Sequence, residues 1–252
     1  MKRNHLCRLL NPSLCAVALG LALTAHGQTF EQVKAAADKG DVKAQVQVGL
    51  AYMNSQDAKE AVKYFKKASK TDPVAQLNLG VCYALGEGAS SKPDPKEAAN
   101  WFKKASDQGL TEAQFRLAYC YEHGQGVAKN DAEALKLYRK VAEAGSVDAQ
   151  VIIAGLYKQG LGTGQDYAEA ARWFTKAAEV GNAEAQYQLG VSYSLGQGVP
   201  RDYVESYKWF IIAANQGRKD AVDYRDKLPT YYKMTADQVA QAETRAKGFA
   251  PK

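Results

Sequence analysis

The residues of this 252-residue chain that could carry chemistry are three histidines, four cysteines and a recurring Gly-x-Gly. Nucleophilic catalysis needs a base beside the nucleophile, and a metal site needs clustered His or Cys ligands. His5, His26, Cys7 and Cys15 fall in the first 27 residues, which read as a leader. That leaves His123, Cys82 and Cys120, and none of them stands in a catalytic or ligand motif. His123 closes a predicted helix just before Gly124, where it can interact with the terminal carbonyls. Gly-x-Gly can cradle a phosphate when it follows a strand. Here each pair (Gly86/Gly88, Gly124/Gly126, Gly160/Gly162, Gly196/Gly198) follows a predicted helix and recurs as a turn. The reading is therefore a non-enzyme with no catalytic residue, no cofactor and no metal.

What must position the remaining side chains is a repeat. Ala44, Ala75, Ala113, Ala149 and Ala185 each precede a glutamine, and Ala221 continues the series without one. A tyrosine follows each of the first five alanines by eight residues: Tyr52, Tyr83, Tyr121, Tyr157 and Tyr193. A small residue follows by five: Gly49, Gly80, Ala118, Ala154 and Gly190. Offsets 0, +4, +7 and +8 share one face of a helix, here called helix A, and the small residue beside that face lets the partner backbone come close. Glycine ends helix A by accepting a left-handed conformation. A second helix, B, opens at Asp57, Asp94, Asn130, Asp166 or Asp202, good N-cap residues. Seven residues on, it carries Tyr64, Trp101, Leu137, Trp173 or Trp209, each followed by an aromatic. The recurring tyrosine and tryptophan read as the packing layer. The ends look like caps: Thr29 to Gln32 and Thr235 to Gln238 fit capping boxes, and a sixth helix A is predicted to stop at Leu228-Pro229.

Composition agrees with close-packed helices: 42 alanines against 7 prolines, 46% hydrophobic and 24% charged residues. It argues against an integral membrane protein and a disordered tail. Lys2, Arg3 and Arg8, an apolar run from Leu14 to Leu23, and Ala25-His26-Gly27 make a secretory leader pattern, with cleavage expected near Gly27/Gln28. Removing its three basic residues lowers the formal charge from +6 to +3. No Lys/Arg run survives, so nucleic acid is not an expected partner. Cys82 and Cys120 share offset +7 in adjacent repeats. Stacked helices lie about 8–10 Å apart, whereas a disulfide needs Cα atoms within about 7 Å. Both are read as small core residues, with a bridge between neighbouring repeats as the alternative in an oxidising compartment.

The pattern A-x-x-L-G-x-x-Y, Gly-x-Gly, Asp, W-F resembles the Sel-1-like repeat, a relative of the tetratricopeptide repeat. The fifth unit carries it most fully, in Ala185 to Tyr193, Gly196 to Pro200 and Trp209-Phe210. The expected fold is all-α, a right-handed α-solenoid of stacked helical hairpins. Its divisions are a leader (1–27), a capping helix (28–43), five repeats (44–74, 75–112, 113–148, 149–184, 185–217) and a C-terminal half repeat with a capping helix (218–252). The resemblance implies an adaptor and nominates the helix A series as the concave face. Positions +2, +6 and +9 point away from the 0/+4/+8 face. They include Leu77 and Val81; Phe115, Tyr119 and Glu122; Val151 and Lys158; Tyr187, Val191 and Ser194. Phe115, Tyr119, Glu122, Lys158, Tyr187 and Ser194 are the candidate partner-binding residues, with the aromatics as anchors; the competing reading is that neighbouring helices cover them. The expected function is an exported scaffold, periplasmic or secreted, binding a protein or peptide. One alternative is a β-lactamase-like hydrolase, implied by cysteine-rich secreted relatives whose two cysteines per repeat this chain lacks. The other is a secreted effector that binds a host protein.

Overall fold

Most elements trace to a side-chain cap and a buried stripe; the helices opening at Thr111 and Lys219 have no side-chain cap. The computed structural model describes residues 29–89 and 92–251; the expected leader and its cleavage point lie outside the described residues, as do Ser90 and Ser91. Among the described residues the chain forms thirteen α-helices and no strand. They group into two compact units, divided between Lys129 and Asn130.

The first unit holds α1 (Phe30–Asp38), α2 (Val42–Asn54), α3 (Ala58–Ala68), α4 (Pro73–Leu85), α5 (Pro95–Asp107) and α6 (Thr111–His123). Each packs on its chain neighbour. The second holds α7 (Asp131–Glu143), α8 (Val147–Gln159), α9 (Tyr167–Glu179), α10 (Ala183–Leu195), α11 (Tyr203–Asn215), α12 (Lys219–Tyr231) and α13 (Ala236–Lys247). The same pairing runs from α7 to α12, and α13 returns to pack on α11. This is the repeating solenoid fold of helical hairpins expected from the sequence.

The caps are those read from the sequence. Asp57, Asp94, Asn130, Asp166 and Asp202 accept backbone N–H bonds from the first turn of α3, α5, α7, α9 and α11. Gly86, Gly124, Gly160 and Gly196 close α4, α6, α8 and α10 in the left-handed conformation. Capping boxes at Thr29 and Thr235 open α1 and α13.

Three expectations are corrected. The small residue at +5 makes room chiefly for an aromatic ring, with partner backbone also close at Gly80, where an added Cβ would lie 3.2 Å from Ala98 O. A Cβ on Gly49 would lie 2.6 Å from the Phe65 ring, and one on Gly80 would lie 2.5 Å from the Phe102 ring. The second glycine of each turn has a role the helix-stop argument missed. A Cβ on Gly88, Gly126, Gly162 or Gly198 would lie 1.8–2.3 Å from a backbone carbonyl oxygen in the first turn of the preceding helix B. These glycines are where one repeat seats flush on the last. The third correction is Pro229, which lies inside α12 and does not end it. A proline costs one ladder bond, but the turn beyond it is retained: Tyr232 N–H bonds Leu228 O and Met234 N–H bonds Pro229 O. Burial of Leu228 and stacking of Tyr232 on Tyr203, 4.1 Å between centroids, hold that turn.

Cys82 and Cys120 are free, buried thiols, as the core reading expected. Burial pushes them up to about 12 and about 11, which keeps both protonated and unreactive.

Candidate functional site

The nominated side chains divide between the units. In the first, Phe115, Tyr119 and Glu122 follow one face of α6 and are half-buried. Tyr119 stacks on His123 with ring centroids 4.1 Å apart, and His123 Nδ1 lies 3.1 Å from the Tyr119 carbonyl and 3.7 Å from the Glu122 carboxylate. Burial, then the Glu122 charge, raises the Tyr119 phenol above its ordinary value. Leu77 and Val81, placed on the same stripe by the sequence, are core residues of α4.

In the second unit, Lys158 on α8 donates to the Gln188 side chain of α10 at 3.0 Å. Tyr187 on α10 lies among aromatics, 5.7 Å from both Phe210 and Tyr224, with the Arg218 guanidinium 4.6 Å from its ring. Burial and the neighbouring Tyr224 push its phenol up to about 12. Ser194 is buried, and its hydroxyl donates to Val191 O at 2.9 Å. It points away from the 0/+4/+8 face and lines a hollow shared with α12.

The sequence reading did not find the feature next to it. Val191, Ser194 and Leu195 of α10 face Asp223, Tyr224, Lys227, Leu228, Tyr231 and Tyr232 across an open hollow of about 490 Å³. Leu195, Tyr224 and Tyr231 are exposed, Tyr231 to 77%. Tyr231 lay beyond the presumed stop at Pro229, whereas Leu195 and Tyr224 fell within predicted helices but outside the stripe chosen as the binding face. With α12 continuing to Tyr231, the second half of the wall forms. Among the described residues no three His, Cys, Asp or Glu side chains converge as metal ligands would, and no helix is long and apolar enough to cross a membrane.

The Sel1 repeat model matches five segments, residues 42–70, 73–110, 111–146, 147–182 and 183–217. The chain belongs to the Sel1 repeat family. It is similar to a Sel1 repeat protein from Oxalobacter formigenes, with 30% identity and a TM-score of 0.68 over 81% of this chain and 85% of that one. It is also similar to a protective antigen of uropathogenic Escherichia coli displaying an SLR fold, at 28% identity and TM-score 0.70 over 87% of this chain and 56% of that one. Among curated proteins, it is 41% identical over 76 residues to the chitin synthase regulator SKT5 of Saccharomyces cerevisiae. It is 36% identical over 90 residues to an F-box protein of Arabidopsis thaliana. Those matches span only 11% and 24% of the two relatives' lengths. As a Sel1 repeat protein, the chain is a scaffold of a family that typically binds other proteins and is generally non-catalytic.

Proposed function

We propose that this Sel1 repeat protein is an exported adaptor that binds a protein partner through the hollow between α10 and α12. The observation that carries the reading is the gathering of Leu195, Tyr224 and Tyr231 around one open hollow of about 490 Å³. Large exposed apolar side chains grouped in this way mark interaction sites, and tyrosine contributes much contact area at small entropic cost. Asp223 and Lys227 on the rim balance in charge, so the partner segment presents apolar side chains. Tyr187 supports the Tyr224 wall from below. Phe115, Tyr119 and Glu122 of the first unit form a second, more polar contact set.

Export rests on the leader pattern of residues 1–27. The similarity to a protective antigen of uropathogenic bacteria favours an envelope or secreted setting. The test is affinity capture from a cell-envelope extract with the full chain and with a Leu195→Ser/Tyr231→Ala variant. A specific protein retained by the full chain and lost with the variant supports the reading; equal retention by both removes the hollow as the site.

A further inference from the structure

The exposed surface of α3 is unlike that of any other helix B. Within its bounds the fully exposed residues are Lys59, Lys63, Lys66 and Lys67, and nothing else. At 3.6 residues per turn these four fall within about 100° of one another, so one face of the helix is a row of ammonium groups. Lys70, also exposed, follows in the turn after α3. The row is local to this repeat. Helix α3 carries four lysines against one glutamate and α5 three against two acids, while basic and acidic residues are equal in number in each of α7, α9 and α11. Lys63 and Lys67 stand over the buried Tyr64 ring, 5.9 and 4.7 Å from its centroid. Four carboxylates border the row. Glu60 pairs with Lys63 at 3.1 Å and Asp38 with Lys67 at 3.3 Å. Asp57 and Asp72 accept backbone bonds at the helix N-termini they cap. Among the described residues, these pairs leave Lys59, Lys66 and Lys70 unengaged.

We propose that the lysine face of α3 is a docking surface for an anionic phospholipid bilayer. The face carries charge and nothing that would anchor a folded partner. No exposed aromatic, arginine or aliphatic side chain interrupts the lysines of the helix, whereas protein interfaces concentrate their energy in such anchors. Lysine is a compact point charge on a flexible stem and needs no fixed geometry in its acceptor. A layer of mobile, negatively charged headgroups is such an acceptor, and each lysine near it strengthens binding about fivefold. The three unengaged lysines then contribute about a hundredfold. With no exposed apolar side chain on the face, nothing enters the hydrocarbon. The contact is electrostatic, peripheral and reversed by salt. The face belongs to the first unit, and the observations behind it are independent of the α10–α12 hollow.

The test uses the chain from Gln28 onward, which keeps every described helix and lacks the three basic residues of the leader pattern. The readout is co-sedimentation with lipid vesicles. Binding is expected to equimolar phosphatidylglycerol/phosphatidylcholine vesicles, not to phosphatidylcholine alone, and is lost in about 0.5 M salt. Lys59→Gln/Lys66→Gln/Lys70→Gln binds at least about tenfold more weakly, with an unchanged far-ultraviolet helical signal because all three side chains are exposed. Lys59→Arg/Lys66→Arg/Lys70→Arg keeps the charge and binds as the parent does. Lys140→Gln/Lys219→Gln/Lys247→Gln removes the same charge from the second unit and stays within about twofold of the parent. Absence of binding to the anionic vesicles overturns the proposal, as does an equal loss in the second-unit variant or no loss in the α3 glutamine variant. Binding of soluble polyglutamate with none to vesicles also overturns it, and assigns the face to an acidic protein instead.

Discussion

The glutamine after four of the five repeat alanines serves the helix before it. Gln45, Gln76, Gln150 and Gln186 donate from Nε2 to Ala37 O, Ser69 O, Ala142 O and Ala178 O, carbonyls at the ends of α1, α3, α7 and α9. Those carbonyls have no partner within their own helix. The amide oxygen is then satisfied from the next helix B: Gln108 donates to Gln76 at 2.8 Å, and Gln216 to Gln186 at 2.6 Å. The fourth repeat breaks the pattern. Val180, an exposed valine, occupies the place of Gln108 and Gln216, and the buried Gln150 Oε1 has no partner. Val180→Gln supplies the missing donor and is expected to stabilise the chain by about 1 kcal/mol. For a chain of this length that raises the thermal midpoint by about 2–4 °C. Gln186→Leu does the reverse. It removes the side-chain donor to Ala178 O, which keeps its bond from Gly181 N–H, and the acceptor of the exposed Gln216 amide, and costs about 1 kcal/mol, read as a lower urea midpoint. The recurrence of Ala-Gln was plain in the sequence, but its purpose was not, because a glutamine's partners lie eight and thirty residues away.

At the scale of the element, the two glycines of each turn separate by experiment. Gly196 needs only its left-handed conformation; an added Cβ meets nothing nearer than 3.5 Å. Gly196→Ala should cost about 1–2 kcal/mol of backbone strain. Gly198 carries the same strain and would also drive a Cβ to 1.8 Å from Tyr167 O. Gly198→Ala should therefore cost clearly more, because backbone on both sides must shift. Thermal melts of the two variants decide it, and equal losses would refute the seating role. Helix boundaries, caps and hairpin order were legible because they depend on local residue types. The close approach of Gly198 to the preceding repeat and the run of α12 through Pro229 were not, because both are settled by packing. The N-terminal helix gives a pH test. The Tyr64 hydroxyl donates to Asp38 at 3.0 Å, and Lys67 lies 3.3 Å from the same carboxylate. The Tyr64 bond, then Lys67, holds the Asp38 carboxyl below its usual value, whereas burial and Asp38 push Tyr64 up to about 12. A lowered acid stabilises the fold above its unfolded pKa of 3.8, and that support is lost as pH falls through the folded value. Faster amide exchange in α1 below pH 4, absent in Asp38→Asn, is the expected observation.

Across the molecule, two sets of side chains compete for the role of partner site, one in each unit. The first-unit set, Phe115, Tyr119 and Glu122, was visible in the sequence as an apolar stripe with aromatic anchors. Two of its members already have local partners, since Tyr119 stacks on His123 and Glu122 lies beside that imidazole. Binding there must disrupt contacts before making new ones. The second-unit hollow presents Leu195, Tyr224 and Tyr231 already exposed, to 47%, 45% and 77%, so covering that remaining surface gains hydrophobic energy without first breaking their contacts. A binding anchor removed to alanine costs about 2 kcal/mol or more, roughly thirtyfold in affinity. Tyr224→Ala/Tyr231→Ala should therefore weaken partner binding at least tenfold, while Phe115→Ala/Tyr119→Ala should weaken it less than about threefold. With one Asp and one Lys on its rim, the hollow offers little net charge for salt to screen. Affinity should then change little between about 0.05 and 0.5 M salt, in contrast to the steep loss expected for a charged interface. Titrating a captured partner against both variants at both salt concentrations separates the sites. A large loss with the first-unit variant, or a strong salt dependence, would move the interface away from α10 and α12.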